Sequence, residues 1–275
     1  MIRTTVFIVA IALMASTSCD AQDSLLIAPI VQEYKQNYNF ISMTDTIYTC
    51  ASEFELPEGF HYPDSSKLSE WSNWISGFPL WHYAKSVGLF RGGKLFPWRA
   101  ISRVVHLPWR SPHFVNRTIP IRLLGEFYFN RDRSDDFSIM LNNNQQLSYS
   151  QFLNNKVAYG AGGKFVLEPK EQESPGIKEF YSYLQFNMRH TTFRSLAENC
   201  DSIAADELLP GDMLIAHDET GRKGIAYVVM FMIVDNDGNS LYAVATGGEK
   251  ACDFYIPHTG SDKSHPWIDA DSIAS

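Results

Sequence analysis

The sequence predicts an α+β fold in which helices pack on an antiparallel sheet. Two observations carry that reading. After Ser174-Pro175, the residues Ile177, Phe180, Tyr181, Leu184 and Met188 recur at helical spacing. From Met213 to Ala245, apolar runs rich in Val and Ile are joined by short polar turns, which is the pattern of an antiparallel meander packed behind that helix.

The elements follow in chain order. Leu25 to Tyr38 carries apolar residues near helical spacing, with Pro29 early enough for a first turn. Pro57-Glu-Gly-Phe60 reads as a turn, and Asp64-Ser-Ser caps a helix whose stripe is Leu68, Trp71, Trp74, Ile75 and Phe78, stopped by Gly77 and Pro79. The Pro- and aromatic-rich stretch from Phe96 to His113 reads as irregular. Asn116 and Pro120 open a helix to Tyr128 with Ile121, Leu124 and Tyr128 on one side, although Gly125 weakens it. Phe137, Ile139 and Leu141 alternate like a strand that ends at the Asn142-Asn-Asn turn, and Gly160-Ala-Gly-Gly163 reads as a flexible turn. Ser174 caps the central helix, with Pro175 at its first position. Pro210-Gly-Asp212 introduces a strand from Met213 to Ala216, Ile225 to Val234 forms the next, Asp235 to Asn239 turns the chain back into Leu241 to Ala245, and Phe254 to Ile256 adds a last strand. Residues 22–275 contain no repeat, low-complexity tract or long linker, so the expectation is one α+β domain after a leader of residues 1–21.

Composition narrows the class of partner. Of 275 residues, 45% are apolar and 13% aromatic, which excludes disorder as the main state. Lys plus Arg number 23 against 31 Asp plus Glu, a net charge of −8, and no basic run is present, so nucleic acid is not an expected partner. The start of the chain reads as a secretory signal: Arg3, the apolar run Val6 to Ala15, then Ser16, Thr17 and Ser18. The run is shorter than the roughly 20 residues of a spanning helix. Two processing routes compete. Cleavage after Ala21 releases a soluble protein, whereas cleavage before Cys19 leaves a thiol to carry lipid, the sole expected contact with a membrane. Both place the folded part in the periplasm or outer envelope. There Cys50, Cys200 and Cys252 either form one disulfide with one thiol left over or are three small buried apolar residues, the second fitting their neighbours better.

Few residues suggest chemistry. The nearest histidine pairs, His106/His113 and His258/His265, lack helical spacing, so no metal site is expected, and phosphate loops and nucleophile elbows are missing, so no cofactor is expected either. Trp71, Trp74, Trp81, Trp98 and Trp109 crowd one stretch and read better as core than as a stacking platform for sugars. Asn116-Arg-Thr118 matches a glycosylation acceptor, but the motif is short, frequent by chance and irrelevant if the cell is bacterial.

The order of the parts carries a resemblance. Leu56-Pro-Glu-Gly59, Trp74-Ile-Ser-Gly-Phe-Pro-Leu80, the stretch ending in Asn143-Asn144, the Ser174 helix, Ser195-Leu196, Gly211-Asp-Met-Leu-Ile215, Gly224-Ile-Ala226 and Pro266-Trp267 follow one another as in the bacterial family called domain of unknown function 4846. The likeness spans Phe54 to Trp267 and implies an exported or lipid-anchored envelope protein. The layout is more distantly similar to papain-like cell-wall peptidases of the NlpC type, in which a Cys at a helix start is the nucleophile and a His opening the next strand is its base. That similarity implies a papain-like core. Here Ile225 stands where that His would be, no cysteine opens the Ser174 helix, and Thr246-Gly-Gly-Glu-Lys250 departs from the Gln-containing segment of the family. The expectation is therefore a non-catalytic binding or structural module. Its groove is expected between the Ser174 helix and the strands from Gly211 and Gly224, lined by Asn143, Ser195, Asp212, His217 and Glu249, and taking a peptide, peptidoglycan fragment or glycan. For Asp212, a turn cap beside Gly211 is the stronger reading. Two rivals stand beside it: an envelope hydrolase using Ser174 or Ser195 with His217, and a carbohydrate-binding protein using the tryptophans.

Overall fold

The computed structural model describes residues 5–10, 38, 40–42, 47–81, 85–95, 100–171, 174–258, 260, 262–270 and 272. Cys19, most of the leader, Trp98 and the helix expected before Tyr38 lie outside the described residues. The strands are β1 (Thr5–Ala10), β2 (Phe60–His61), β3 (Leu80–Trp81), β4 (Ile101–Val105), β5 (Asn155–Tyr159), β6 (Phe165–Pro169), β7 (Asp201–Ser202), β8 (Met213–His217), β9 (Gly224–Asp235), β10 (Ser240–Ala245), β11 (Tyr255–Pro257) and β12 (Ile268–Asp269). The helices are α1 (Cys50–Glu53), α2 (Glu70–Ser76), α3 (Ile119–Asn130), α4 (Tyr149–Asn154), α5 (Ile177–Arg189) and α6 (Phe193–Ala197). The architecture is α+β.

The main sheet runs β12-β10-β9-β8-β1-β7, with β2 also paired to β9. Its centre is the expected meander. Met213 faces Val228 and His217 faces Gly224, and the pairing of β9 with β10 shifts register between Ala243 and Val244. The turn is built by Asp235, whose carboxylate accepts the backbone N–H of Asp237 and Asn239 at 2.9 and 2.8 Å. In the full chain Thr5–Ala10, from the expected leader, lies antiparallel to β8. β11 joins the meander only through the antiparallel bridge of Tyr255 to Thr246, just past β10, and has its main pairing elsewhere. It pairs with β4, and β4 with β3, in a second sheet.

Four local expectations are corrected, each for a physical reason. Asp64 caps only the 3-10 turn Ser65–Lys67, while α2 takes its own cap from Ser69, whose hydroxyl accepts the Ser72 N–H at 3.0 Å. The supposedly irregular stretch before His113 contains β4, whose Arg103 and Ser102 hide a strand pattern because both are buried and bonded, Arg103 to Glu53. Phe137, Ile139 and Leu141 are buried in alternation, yet among the described residues no strand pairs with them. The side chain of Asn199 serves the backbone there instead, accepting the Met140 N–H at 2.6 Å and donating to its carbonyl at 2.9 Å. Finally, α5 starts at Ile177 with Gly176 as its cap residue, not at Ser174, because the Tyr149 hydroxyl bonds both the N–H and the carbonyl of Gly176 at 3.1 Å.

The helices set the position of the site. α3 lies on β9, and α5 packs on α3 and α4. Phe180, Tyr183, Leu184 and Met188 of α5 are wholly buried, whereas Ile177 is exposed. Gly125, a liability in an isolated helix, allows this packing: a Cβ there would sit 2.6 Å from Cδ2 of Leu184. The groove expected between α5 and the strands is therefore filled by α3. Among the described residues no helix is long and apolar enough to cross a membrane.

Candidate functional site

The place where a helix start meets the start of a strand is the mouth of α3. The chain enters through the 3-10 turn Asn116–Thr118. The Thr118 hydroxyl donates to the carbonyl of His113 at 2.7 Å and accepts the Val115 N–H at 3.1 Å, so it fixes the approach. Asn116 is buried. Its amide donates to the carbonyl of Gly224 at 3.2 Å, and its N–H donates to the carbonyl of Gly248 at 3.0 Å. Gly224 is required by close approach, since a Cβ would lie 2.2 Å from the carbonyl oxygen of Ala216. Ile225, the next residue, is 37% exposed beside this junction. The Asn116 amide is hidden and bonded, which also removes it as a glycosylation acceptor.

Around the mouth gather four basic side chains. Arg117 is half-buried and its Nε donates to the carbonyl of Thr191 at 3.0 Å, which ties the entry of α3 to the exit of α5. Arg189 and His190 end α5, and the Tyr159 hydroxyl lies 2.8 Å from Nε2 of His190. Burial, then the charges of Arg189 and Arg117, hold the pKa of His113 below its ordinary value. Burial, then Arg189 and His113, do the same to His190. Among the described residues no carboxylate comes within ion-pair range of any of the four.

The residues predicted for the site do not converge. Asn143 is engaged with Gln145 and with the carbonyl of Gly163, and so holds the tip of the β5–β6 hairpin. Ser195 is buried, and its hydroxyl forms a capping box with Thr192 at the start of α6. Asp212 accepts the Leu209 N–H at 2.7 Å, the turn cap expected for it, and burial pushes its pKa up to about 6. His217 ends β8 opposite Gly224, with Nδ1 2.7 Å from the carbonyl of Asp218. Glu249 is exposed just beyond Gly248, and Ser174 is exposed ahead of α5. Trp71 and Trp74 are buried in the core and stacked on each other at 5.6 Å. Cys50, Cys200 and Cys252 are free thiols; Cys50 and Cys252 are buried, and burial pushes the half-buried Cys200 up to about 12, so it holds no thiolate at neutral pH.

A further buried cluster has a visible sequence signal. Arg122 and Glu126, spaced i, i+4 in an otherwise apolar helix, form an ion pair with both side chains 0% exposed. The guanidinium faces the rings of Tyr181 at 4.8 Å, Trp109 at 5.2 Å and Phe114 at 5.6 Å, and the Tyr181 hydroxyl donates to Glu126 at 3.0 Å.

Comparison with known proteins identifies the family. The family described as domain of unknown function 4846 matches residues 50–274. The chain belongs to that family. The match includes the entry to α3, β9, the Gly247-Gly248 loop and every basic residue at the mouth, so the site lies inside the family 4846 domain. No curated protein and no solved structure matches the chain.

Proposed function

We propose that this family 4846 protein is exported and binds a component of the bacterial envelope without altering it chemically. The observation that supports this most is the pairing of Asn116 with Gly224-Ile225. In a papain-like arrangement the nucleophile at a helix start must touch a base on the adjoining strand. Of the helices that touch β9, α3 is the one whose entry meets the start of the strand, and it brings a buried amide to a strand whose next side chain is aliphatic. Neither group attacks a carbonyl or accepts a proton at neutral pH. The serine alternative loses Ser195 to its capping box. Export rests on the leader composition, with release after Ala21 or lipid on Cys19 as its two forms.

Incubation of the full chain with peptidoglycan fragments tests the reading, with calorimetry for binding and mass spectrometry for products. Saturable binding with unchanged fragments is expected. Cleavage products that vanish in His217→Ala would establish the hydrolase instead. Recovery from the envelope fraction with an N-terminus at Gln22 or a lipid-modified Cys19 is the expected outcome for export, and an intact Met1 in the cytoplasm overturns it.

A further inference from the structure

We infer that the mouth of α3 is an anion site, in which Arg117, Arg189, His113 and His190 receive a carboxylate or phosphate group of the ligand. This deepens the binding-module reading and rests on it. The argument begins with charge balance. The chain has a net charge of −8, and Arg103, Arg110, Arg122, Arg131 and Arg133 each carry a carboxylate partner, to Glu53, Asp253, Glu126, Glu70 and Asp136. With acidic groups in excess, basic residues gathered together without one need a reason. Arg117 and Arg189 have no such partner among the described residues, and they stand close enough for both charges to act on His113. Mutual repulsion at a half-buried position is a cost that an incoming anion removes.

The geometry suits a planar or tetrahedral oxyanion. Arg117 is anchored through Nε to the carbonyl of Thr191, and among the described residues its two terminal nitrogens bond no other group, so they form the open prongs of a fork. The site draws on two elements, the entry to α3 and the exit of α5, and the bond between Arg117 and Thr191 holds them in register. Tyr159, 63% exposed and bonded to His190, adds a hydroxyl at the edge. Inorganic phosphate and the carboxylate of a peptide terminus share the chemistry this cluster recognises.

The test is calorimetric titration of the full chain with inorganic phosphate, with N-acetylalanine, and with N-acetylalanine amide as the uncharged control. Binding of one or both anions and none of the amide is expected; phosphate alone points to a phosphorylated ligand, the carboxylate alone to a peptide end. Arg189→Ala, an exposed position where the fold is not at stake, and Arg117→Ala should each weaken binding tenfold or more, while Arg91→Ala, an exposed arginine elsewhere, leaves it unchanged. Absence of anion binding to the wild-type chain overturns the inference, as does binding that survives both substitutions. Binding of a neutral glycan without anion binding sinks the anion site and spares the binding module; fragment cleavage with anion binding does the reverse.

Discussion

Two arginines five positions apart, Arg117 and Arg122, meet opposite fates. Arg122 is 0% exposed, paired with Glu126 and surrounded by Trp109, Phe114 and Tyr181. Arg117 is half-buried at the mouth, its side chain bonded among the described residues to a single carbonyl, and one more cation, Arg189, bears on the same histidine. The difference separates a charge whose partner is built into the fold from one whose partner must come from outside. A buried pair is a structural commitment, because either member left alone cannot be hydrated. A half-buried cation without a carboxylate keeps its water and can exchange it for a ligand.

The largest expected effect strikes the buried pair. Glu126→Ala leaves Arg122 charged in an apolar enclosure and should lower unfolding free energy by about 3–5 kcal/mol in urea denaturation. A loss under about 1 kcal/mol would show that water reaches the pair and would dissolve the contrast. Arg122→Met with Glu126→Leu removes both charges and should recover most of that loss, since the desolvation penalty goes with them. Failure to recover would mean that the ring contacts around the guanidinium, more than the charge balance, hold the segment in place.

Asp212 adds a buried charge that has no cation beside it among the described residues. Burial raises its folded pKa to about 6, above the ordinary carboxylate value. Its contribution is therefore fully present below about pH 4 and is lost as pH rises through about 6. Asp212→Asn keeps an acceptor for Leu209 and should gain about 1–2 kcal/mol over wild type at pH 8, with the gain vanishing near pH 4. A pH-independent difference between the two proteins would remove Asp212 from the ledger of buried charges.

The smallest effect belongs to the mouth. His113 and His190 titrate below their ordinary value in the folded state. Their neutral forms fit the fold, so stability is full above about pH 6.5 and declines as pH falls from there through the folded pKa. Arg189 bears on both rings, and Arg189→Ala should flatten that decline by about 0.5 kcal/mol between pH 7 and 5 while leaving stability at pH 8 unchanged. An unaltered profile would place Arg189 too far from the rings to share a ligand with them.

Much of the sheet was legible because its cause is local. The apolar run Ile225 to Val234 and the Asp235-to-Asn239 turn specify a hairpin without help from distant residues. β4 was not legible, since Arg103 and Ser102 break its apolar pattern and find their partners, Glu53 and the carbonyl of Lys263, across the fold. Phe137 to Leu141 shows the converse, an alternating burial pattern satisfied by one asparagine side chain instead of a strand. At the site, the sequence marks Gly224-Ile225 as the strand start but points to Ser174 as its partner. The residue that meets it is Asn116, 108 positions away along the chain. The basic cluster left no trace in spacing, because His113 and Arg117 precede α3 while Arg189 and His190 end α5.

The sequence by itself determined the α+β class, the meander from Met213 to Ala245, the family and the aliphatic side chain of Ile225 at the start of β9, since each depends on residue type and short-range order. Only the tertiary structure decided which helix entry meets the start of β9, which arginine is buried with a partner and which lacks a carboxylate among the described residues. Those outcomes depend on close approach: Gly125 lets α5 come down on α3, which occupies the place beside β9, seals Arg122 and Glu126 from water and leaves Arg117 at the opening.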